Sequence, residues 1–454
     1  MTFFLNTKGY FKKFLRRSPL FYQLLQELEE NERLSYEQLI NYQNQKLRST
    51  IQHAYQTVPY YRQLFDKLAI NPEAIKTIDD LKALPIISKA DIRGKEKQFV
   101  SNAVFLKFKT ATSGTTGTPV NLFRDYYSIN FEHASIWRQK RWGKCCFDDL
   151  IVSIRGDVVV APDAIKPPFW KYISSENMLM MSSYHLSDKF IPYYLQKLRS
   201  IDSPIIIESF PSTIYRIARY MQLHRELPIE VKAVITSCET LLPHQREVIE
   251  EYFGQVFDHY GQSERVAYIT RCEHGNYHYV MDYSLVEFLP TDENGLYRVV
   301  GTTFHNRAMP FIRYDTGDFV RIENPACFCS CGKAFPLVES IEGRVEDYVI
   351  TPSRKWIGAI GRALLNVNNL IEAQIIQEKL DLLRVLIVAT ESFTIRDEQV
   401  LRRNIQQRVG YEMKIVIQKT DAIARTKRGK FKLVVSLLKE ESLTLNEKQS
   451  LRHI

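Results

Sequence analysis

Glycines alternate with serine and threonine in 112-TSGTTGTPV-120, just after a predicted strand at 104-VFLKFKTA-111. Closely spaced glycines let backbone N–H groups approach a polyphosphate, and the hydroxyls add donors to its oxygens. The loop is not a Walker A loop, because no Gly-Lys-Ser/Thr follows. In 258-DHYGQSE-264, Tyr260 beside Gly261 can lay its ring on a flat ligand, and Glu264 can hold Mg²⁺ beside phosphate oxygens. In 313-RYDTGD-318, carboxylates close to a glycine suit a ribose diol, because a carboxylate accepts from both hydroxyls. Two more segments, 343-GRVED-347 and 425-RTKRGKFK-432, offer charges on loops. Taken singly, each segment also reads as a solvated turn.

Cysteine and histidine recur at short spacing in 272-CEHGNYH-278 and 327-CFCSC-331. Two such clusters are what a tetrahedral Zn²⁺ site needs. Cys272 with His274 or His278, and Cys329 with Cys331, form the candidate set. His278 is preferred because it falls in a predicted strand, and Cys327 is spare. Four protein ligands leave no position for water, so such a site is structural. The remaining thiols, Cys145, Cys146 and Cys238, read as buried residues, and His185 as structural.

These residues must be carried by a chain of 454 residues, enough for two to four domains and a large core. Its 45% hydrophobic and 12% aromatic content excludes wholesale disorder, and no apolar run approaches the roughly 20 residues of a bilayer span. The net charge of +9 permits anionic ligands, but no nucleic-acid-binding pattern is present. The basic, aromatic start MTFFLNTKGYFKKFLRRSPLFY lacks the features of a secretory signal, so the expected location is cytoplasmic. There, cysteines read as metal ligands or free thiols. Between Phe3 and Tyr22 the aromatics and cations suit either weak peripheral contact with an anionic membrane or a helix packed on the domain.

Residues 10–70 carry helical periodicity, and residues 1–100 as a whole are predicted to be largely helical. Beyond 100, β-rich runs (150-LIVSI-154, 204-PIIIES-209, 231-VKAVITS-237, 256-VFDHY-260) alternate with amphipathic helices, which predicts a mostly parallel sheet. After 280, 284-SLVEFLP-290 and 296-LYRVVGTTF-304 flank a DENG turn. The last hundred residues predict strands near 345–352, 383–390 and 413–419 with helices near 357–369 and 396–409. The fold class is α/β: a large N-terminal domain, 1–343, with mixed, mostly parallel sheets and helices, and a small mobile α+β domain, 344–454.

In this order, the five loop segments together resemble the acyl-adenylate-forming enzymes, the superfamily of acyl-CoA synthetases and luciferases. The resemblance runs from about 50 to 435. It is narrower to the phenylacetate-CoA ligase branch, to the capsular-polysaccharide-cluster proteins called CapK and to coenzyme F390 synthetases, through 236-TSCETLLPHQREVIEEYFG-254, 259-HYGQSER-265, 309-MPFIRYDTGD-318 and 329-CSCGKAFPLVESIEGR-344. It implies that Ser113, Gly114, Thr115, Thr116 and Gly117 hold the ATP phosphates, with Thr116 in the catalytic set beside Glu264 and Lys430. Tyr260 and Gly261 would receive adenine, Glu264 would help place Mg²⁺, and Asp318 would take the ribose hydroxyls. Arg344 would lie near the ribose at the hinge, and Lys430 would reach the α-phosphate and the carboxylate.

The implied activity is AMP-forming activation of a carboxylic acid through an acyl-adenylate. The acyl group would pass to coenzyme A or another thiol or amine, in surface polysaccharide biosynthesis. The alternative is an adenylyltransferase that moves AMP onto a hydroxyl. The implied cofactors are ATP, Mg²⁺, structural Zn²⁺ and coenzyme A, with no nucleic-acid partner. The acid itself and the oligomeric state are not readable. The sequence departs from the family at Thr118–Val120, where many relatives carry a lysine and where Arg124 is the nearby cation. It departs again at Glu346, where aspartate is usual.

Overall fold

The computed structural model describes residues 17–111, 120–161, 163–291, 293–322, 329–344, 349–357, 360–364, 367–426 and 429–438. The chain opens with helices Pro19–Asn31, Tyr36–Thr57 and Pro59–Leu68. Ser18 and Ser35 accept backbone N–H groups at the first two N-termini, which satisfies donors a helix start otherwise leaves open. A short hairpin, β1 (Phe108–Ala111) and β2 (Asn121–Arg124), precedes the helix Tyr126–Trp142. The predicted strand at 104–111 is therefore shorter than its sequence suggests; Phe105 and Leu106 are exposed and lie outside it.

Then come β3 (Leu150–Ile154), β4 (Trp170–Ile173), β5 (Met178–Met181), β6 (Ile205–Ser209), β7 (Ala233–Ser237), β8 (Val256–Gly261), β9 (Tyr268–Arg271) and β10 (Tyr277–Tyr279). After them run β11 (Ser284–Pro290), β12 (Leu296–Thr303), β13 (Tyr314–Arg321), β14 (Leu337–Val338) and β15 (Ser340–Arg344). A nine-stranded sheet has the order β14-β10-β9-β8-β7-β6-β3-β5-β4. Its centre, β5, β3, β6, β7 and β8, is parallel. Helices Pro211–His224 and Pro243–Phe253 make the crossovers from β6 to β7 and from β7 to β8.

Alternation along these strands feeds two cores. Ile206, Ile235 and Phe257 meet Phe131 and Trp137 on one face, while Ile207, Val234 and Val256 meet Ile217, Met221 and Phe253 on the other. Each fully buried large apolar side chain contributes roughly 1.5–3 kcal/mol. The first face is pinned by a buried ion pair, Arg138 to Asp282, made through two hydrogen bonds of 2.7 and 2.9 Å. A second sheet, β11-β12-β13-β15, is antiparallel throughout.

The C-terminal unit holds β16 (Val349–Ile350), β17 (Trp356–Ile357), β18 (Leu370–Lys379), β19 (Leu382–Ala389), β20 (Lys414–Lys419) and β21 (Val434–Ser436). Its sheet order is β20-β19-β18-β21, and the helix Ile395–Val409 packs on it. Where the sequence predicts a helix near 357–369, the described residues contain only a 3₁₀ turn, Ile360–Leu364. Gly361 within it lies against Leu433 and Leu242, so packing between units overrides the helical pattern there. No helix among the described residues is long and apolar enough to cross a membrane.

Candidate functional site

Ligands of open α/β sheets gather outside the carboxyl ends of parallel strands. Here β8 delivers Tyr260 and Gly261 at such an end. The Tyr260 hydroxyl donates to the Asp318 carboxylate on β13 at 2.7 Å, joining the two sheets at this edge. Asp318 is buried, and Arg344 on β15 stands opposite it in the strand register. Asp315 is turned elsewhere: it accepts from the Gly317 N–H at 2.9 Å and faces Arg298 at 3.9 Å. Asp318 is therefore the carboxylate that the β13 loop offers to this edge.

The turn after Gly261 carries Glu264, which is buried and accepts from the Tyr314 hydroxyl at 2.9 Å. Gly301 makes room for that turn, since a Cβ there would lie 2.2 Å from the Val266 carbonyl oxygen. Arg124, at the end of β2, donates to the Ser263 carbonyl at 2.9 Å and so stands beside the same turn. Burial and neighbouring Arg265 lower its pKa to about 10, which leaves it a cation. The phosphate loop, Ser113, Gly114, Thr115, Thr116 and Gly117, lies outside the described residues, as do Cys327, Glu346, Lys427 and most of the basic N-terminal segment. At the end of that segment, Arg17 lies 4.9 Å over the Trp137 ring and Phe21 is fully buried, so this part packs on the domain.

Lys430 sits in a tight loop. The Thr426 N–H donates to the Lys430 carbonyl at 2.9 Å, and the Lys430 N–H donates to the Thr426 hydroxyl at 3.1 Å. The loop is seated on the N-terminal domain. A Cβ on Gly429 would lie 2.5 Å from the Gly156 Cα and 3.4 Å from the Tyr184 hydroxyl, and Gly429 has φ +74°, so glycine is required twice over. One residue after Lys430, the Phe431 N–H donates to Glu239 Oε1 at 2.6 Å, and Glu239 also accepts from the Ser212 N–H at 3.1 Å. Burial raises the Glu239 pKa above the usual carboxylate value, against the pull of these donors. Glu239 follows Cys238, whose φ of +73° is strained for a residue with a side chain. Cys238 and Cys146 are exposed rather than buried, Cys238 in the bend after β7 and Cys146 in the turn that leads into β3; Cys145 is buried, and burial pushes its thiol up to about 12.

At the far side of the same sheet, Cys272, His278, Cys329 and Cys331 present ligand atoms all within 4.8 Å of one another. Cys272 Sγ and Cys329 Sγ are 3.7 Å apart, and Cys331 Sγ is 3.5 Å from His278 Nε2. A tetrahedral ion with Zn–S of about 2.3 Å and Zn–N of about 2.0–2.1 Å requires edges of about 3.8 and ~3.5 Å. His278, on β10, has Nδ1 2.8 Å from the Phe335 carbonyl, which fixes the ring with Nε2 turned to the sulfurs. His274 instead meets Ser330 at 2.9 Å. His185 is stacked on Phe169, a member of the second core, at 4.5 Å.

Comparison with known proteins bears on both ends of the chain. Residues 349–437 match the family described as CapK C-terminal domain. The chain is 26% identical to Protein CapK of Staphylococcus aureus over 381 residues, 83% of this chain and 82% of that one. It is 22% identical to a phenylacetate-coenzyme A ligase of Thermus thermophilus, covering 90% of this chain and 99% of that one. Among solved structures, a 2-hydroxyisobutyryl-CoA ligase in the postadenylation state aligns over 94% of both chains at TM-score 0.68 and 18% identity. Over most of its length the chain is thus similar to CapK and to phenylacetate-coenzyme A ligases, and it shares the fold of an acyl-CoA ligase.

The same ligase captured in the thioesterification state aligns at TM-score 0.52, again with 94% coverage, so the fold superposes better on the postadenylation form. The residues that hold the lysine loop in this arrangement, Gly156, Tyr184 and Glu239, carry no local signature in the sequence. Glu239 meets Phe431 across 192 residues of chain, and only the fold brings them together.

Proposed function

We propose that the chain is an AMP-forming ligase that activates a carboxylic acid as its acyl-adenylate and passes the acyl group to coenzyme A. The observation that carries this is the meeting of the Tyr260–Asp318 pair and the seated Lys430 loop at the carboxyl edge of the parallel sheet. The relatives named phenylacetate-coenzyme A ligase support the reaction and the acceptor. A place in surface polysaccharide biosynthesis rests on the sequence resemblance to the capsular-polysaccharide-cluster proteins alone.

In the first half-reaction a carboxylate oxygen attacks the α-phosphorus and pyrophosphate leaves. Both reactants are anions, so charge must be neutralised along the in-line path. Lys430 supplies one cation from a loop held at both flanks. Asp318, oriented by Tyr260, takes the ribose hydroxyls, and the Tyr260 ring lies along adenine. Ser113 to Gly117, which lie outside the described residues, would hold the phosphates. Glu264 would hold Mg²⁺, which when bound offsets phosphate charge. In the second half-reaction the coenzyme A sulfur attacks the acyl carbon and AMP leaves. The C-terminal unit must swing for that step, which removes Lys430 from the centre.

We also assign a structural Zn²⁺ to Cys272, His278, Cys329 and Cys331. Three thiolates and one imidazole are a donor set suited to zinc, and the observed edges fit it.

The test is ATP–pyrophosphate exchange by the purified full chain. Exchange that depends on an added acid, followed by thioester formation with coenzyme A, is expected. Transfer of AMP to a hydroxyl compound with no acid-dependent exchange would replace this reading.

A further inference from the structure

Four charged or titratable side chains lie near the carboxyl ends of β3, β6 and β8, and none has a part in handling the nucleotide. Lys140 on the helix Tyr126–Trp142 bonds Glu208 on β6 at 2.5 Å. Arg155, just past β3, faces the other Glu208 oxygen at 3.5 Å. His259, on β8, completes the group. Lys140 is 2% exposed and Glu208 12%, while Arg155 at 31% opens the cluster outward. Burial works against charge on Glu208, yet Lys140 and Arg155 overcome it and hold the carboxyl well below its usual range. Burial, with Arg155, lowers His259 to about 3, so its ring is neutral.

Desolvating two ions costs several kcal/mol each, and apolar replacements of similar volume are often equally stable, so packing alone is a weak reason to keep this pair. Its position supplies a better one. His259 immediately precedes Tyr260, the nucleotide-edge residue. Arg155 immediately precedes Gly156, on which the Lys430 loop is seated. The cluster therefore lies between the nucleotide strand and the catalytic lysine loop, where the acyl chain of a reacting acid must run. The cluster carries one excess positive charge. Two of its nitrogens, Arg155 Nε and His259 Nδ1, are shielded from solvent and have no hydrogen-bond partner. An aryl or alkyl chain laid there would leave both unanswered, weakening its binding by about tenfold or more.

We propose that the acid this chain activates carries a second oxygen-bearing polar group, a carboxylate or a hydroxyl, which Arg155 and His259 read while the Lys140–Glu208 pair holds Arg155 in place. This rests on the ligase reading above. The second group takes no part in the bond changes; the reacting carboxylate still attacks the α-phosphorus and expels pyrophosphate. The contacts act on specificity, since buried polar groups discriminate strongly against ligands that cannot pair with them.

The experiment is pyrophosphate exchange by the full chain with succinate, lactate, phenylacetate, hexanoate and glycine. We expect kcat/KM for succinate or lactate to exceed that for phenylacetate and hexanoate by about tenfold or more. Preference for succinate identifies an oxyanion as the feature read, and preference for lactate a hydroxyl. Arg155→Met should raise KM for the preferred acid about tenfold, leave KM for ATP unchanged and narrow the preference, and Arg155→Lys should recover part of it. Preference for phenylacetate, hexanoate or glycine overturns the proposal, as does an Arg155→Met enzyme that loses activity equally on every acid. A protein that binds ATP but shows no exchange with any of the acids removes the ligase reading itself, and the proposal with it.

Discussion

The four side chains proposed to hold zinc come from two stretches, 272–278 and 329–331, fixed by the β9–β10 hairpin and by the β10–β14 pairing beside it. The proposed nucleotide edge instead draws on Tyr260, Glu264, Asp318, Arg344 and Lys430 from strands, turns and a second structural unit. On either side of Lys430, the Phe431 N–H donates to Glu239 and Gly429 lies against Gly156. Both sites hang on one sheet and even share a neighbour. Asp258, between them, accepts from Thr236 at 2.6 Å and from Tyr277 at 2.7 Å, and Tyr277 adjoins His278 while Asp258 lies two residues from Tyr260. The contrast is between a site built to stay closed and one built to come apart. In the first, removing a ligand should cost folding; in the second, removing a group should cost rate.

The sharpest way to break the contrast is at the metal cluster. Cys331→Ser should abolish the one zinc per chain measured by elemental analysis and lower the melting temperature by roughly 5–15 °C, because metal binding free energy is folding free energy. Adenylation per folded molecule should hold. Zinc at full strength in the variant would remove the assignment.

Lys430→Ala should do the reverse, with an unchanged melting temperature and acyl-adenylate formation slower by about 10²-fold or more. Thioester formation from synthetic acyl-adenylate should survive, since the unit has swung by then. Loss of both half-reactions together would place Lys430 in a different role.

The smallest expected effect is at the shared residue. Burial raises the Asp258 carboxyl to about 6, so it binds a proton in the folded chain that it would release in the unfolded one between about pH 6 and 4. Folded protein is then stabilised relative to Asp258→Asn as pH falls through that window, by up to about 3 kcal/mol. Urea denaturation of both proteins at pH 7 and pH 4.5 reads the difference. Equal stability differences at the two values would mean Asp258 titrates normally, and that the hairpin and the nucleotide strand are not joined through a desolvated carboxylate.

The parallel sheet was legible because its strands are short apolar runs punctuated by amphipathic helices, and the cysteine cluster because ligand spacing is local. Lys140 with Glu208, 68 residues apart, and Arg138 with Asp282, 144 apart, have no such local sign. A charged residue on an amphipathic helix reads as solvated until the fold places a partner beneath it. The turn at Ile360–Leu364 defeated periodicity for a related reason. Gly361 within it lies close against Leu242 and Leu433, so tertiary packing and not the local spacing sets the backbone there. Cys146 and Cys238 misled because thiols are buried on average, and average behaviour says little about a residue on a turn.

The cysteine cluster also sets a schedule for synthesis. Cys272 and Cys329 lie 57 residues apart, and three of the second sheet's four strands, with Asp318, are strung between them. A metal held there would close that span into a ring as soon as Cys331 leaves the ribosome. At roughly 5–20 residues per second, the 99 residues from Cys331 to Lys430 take about 5–20 s to make. Strand β13, with Asp318, can be locked into place in that interval, before Lys430 arrives to dock beside it.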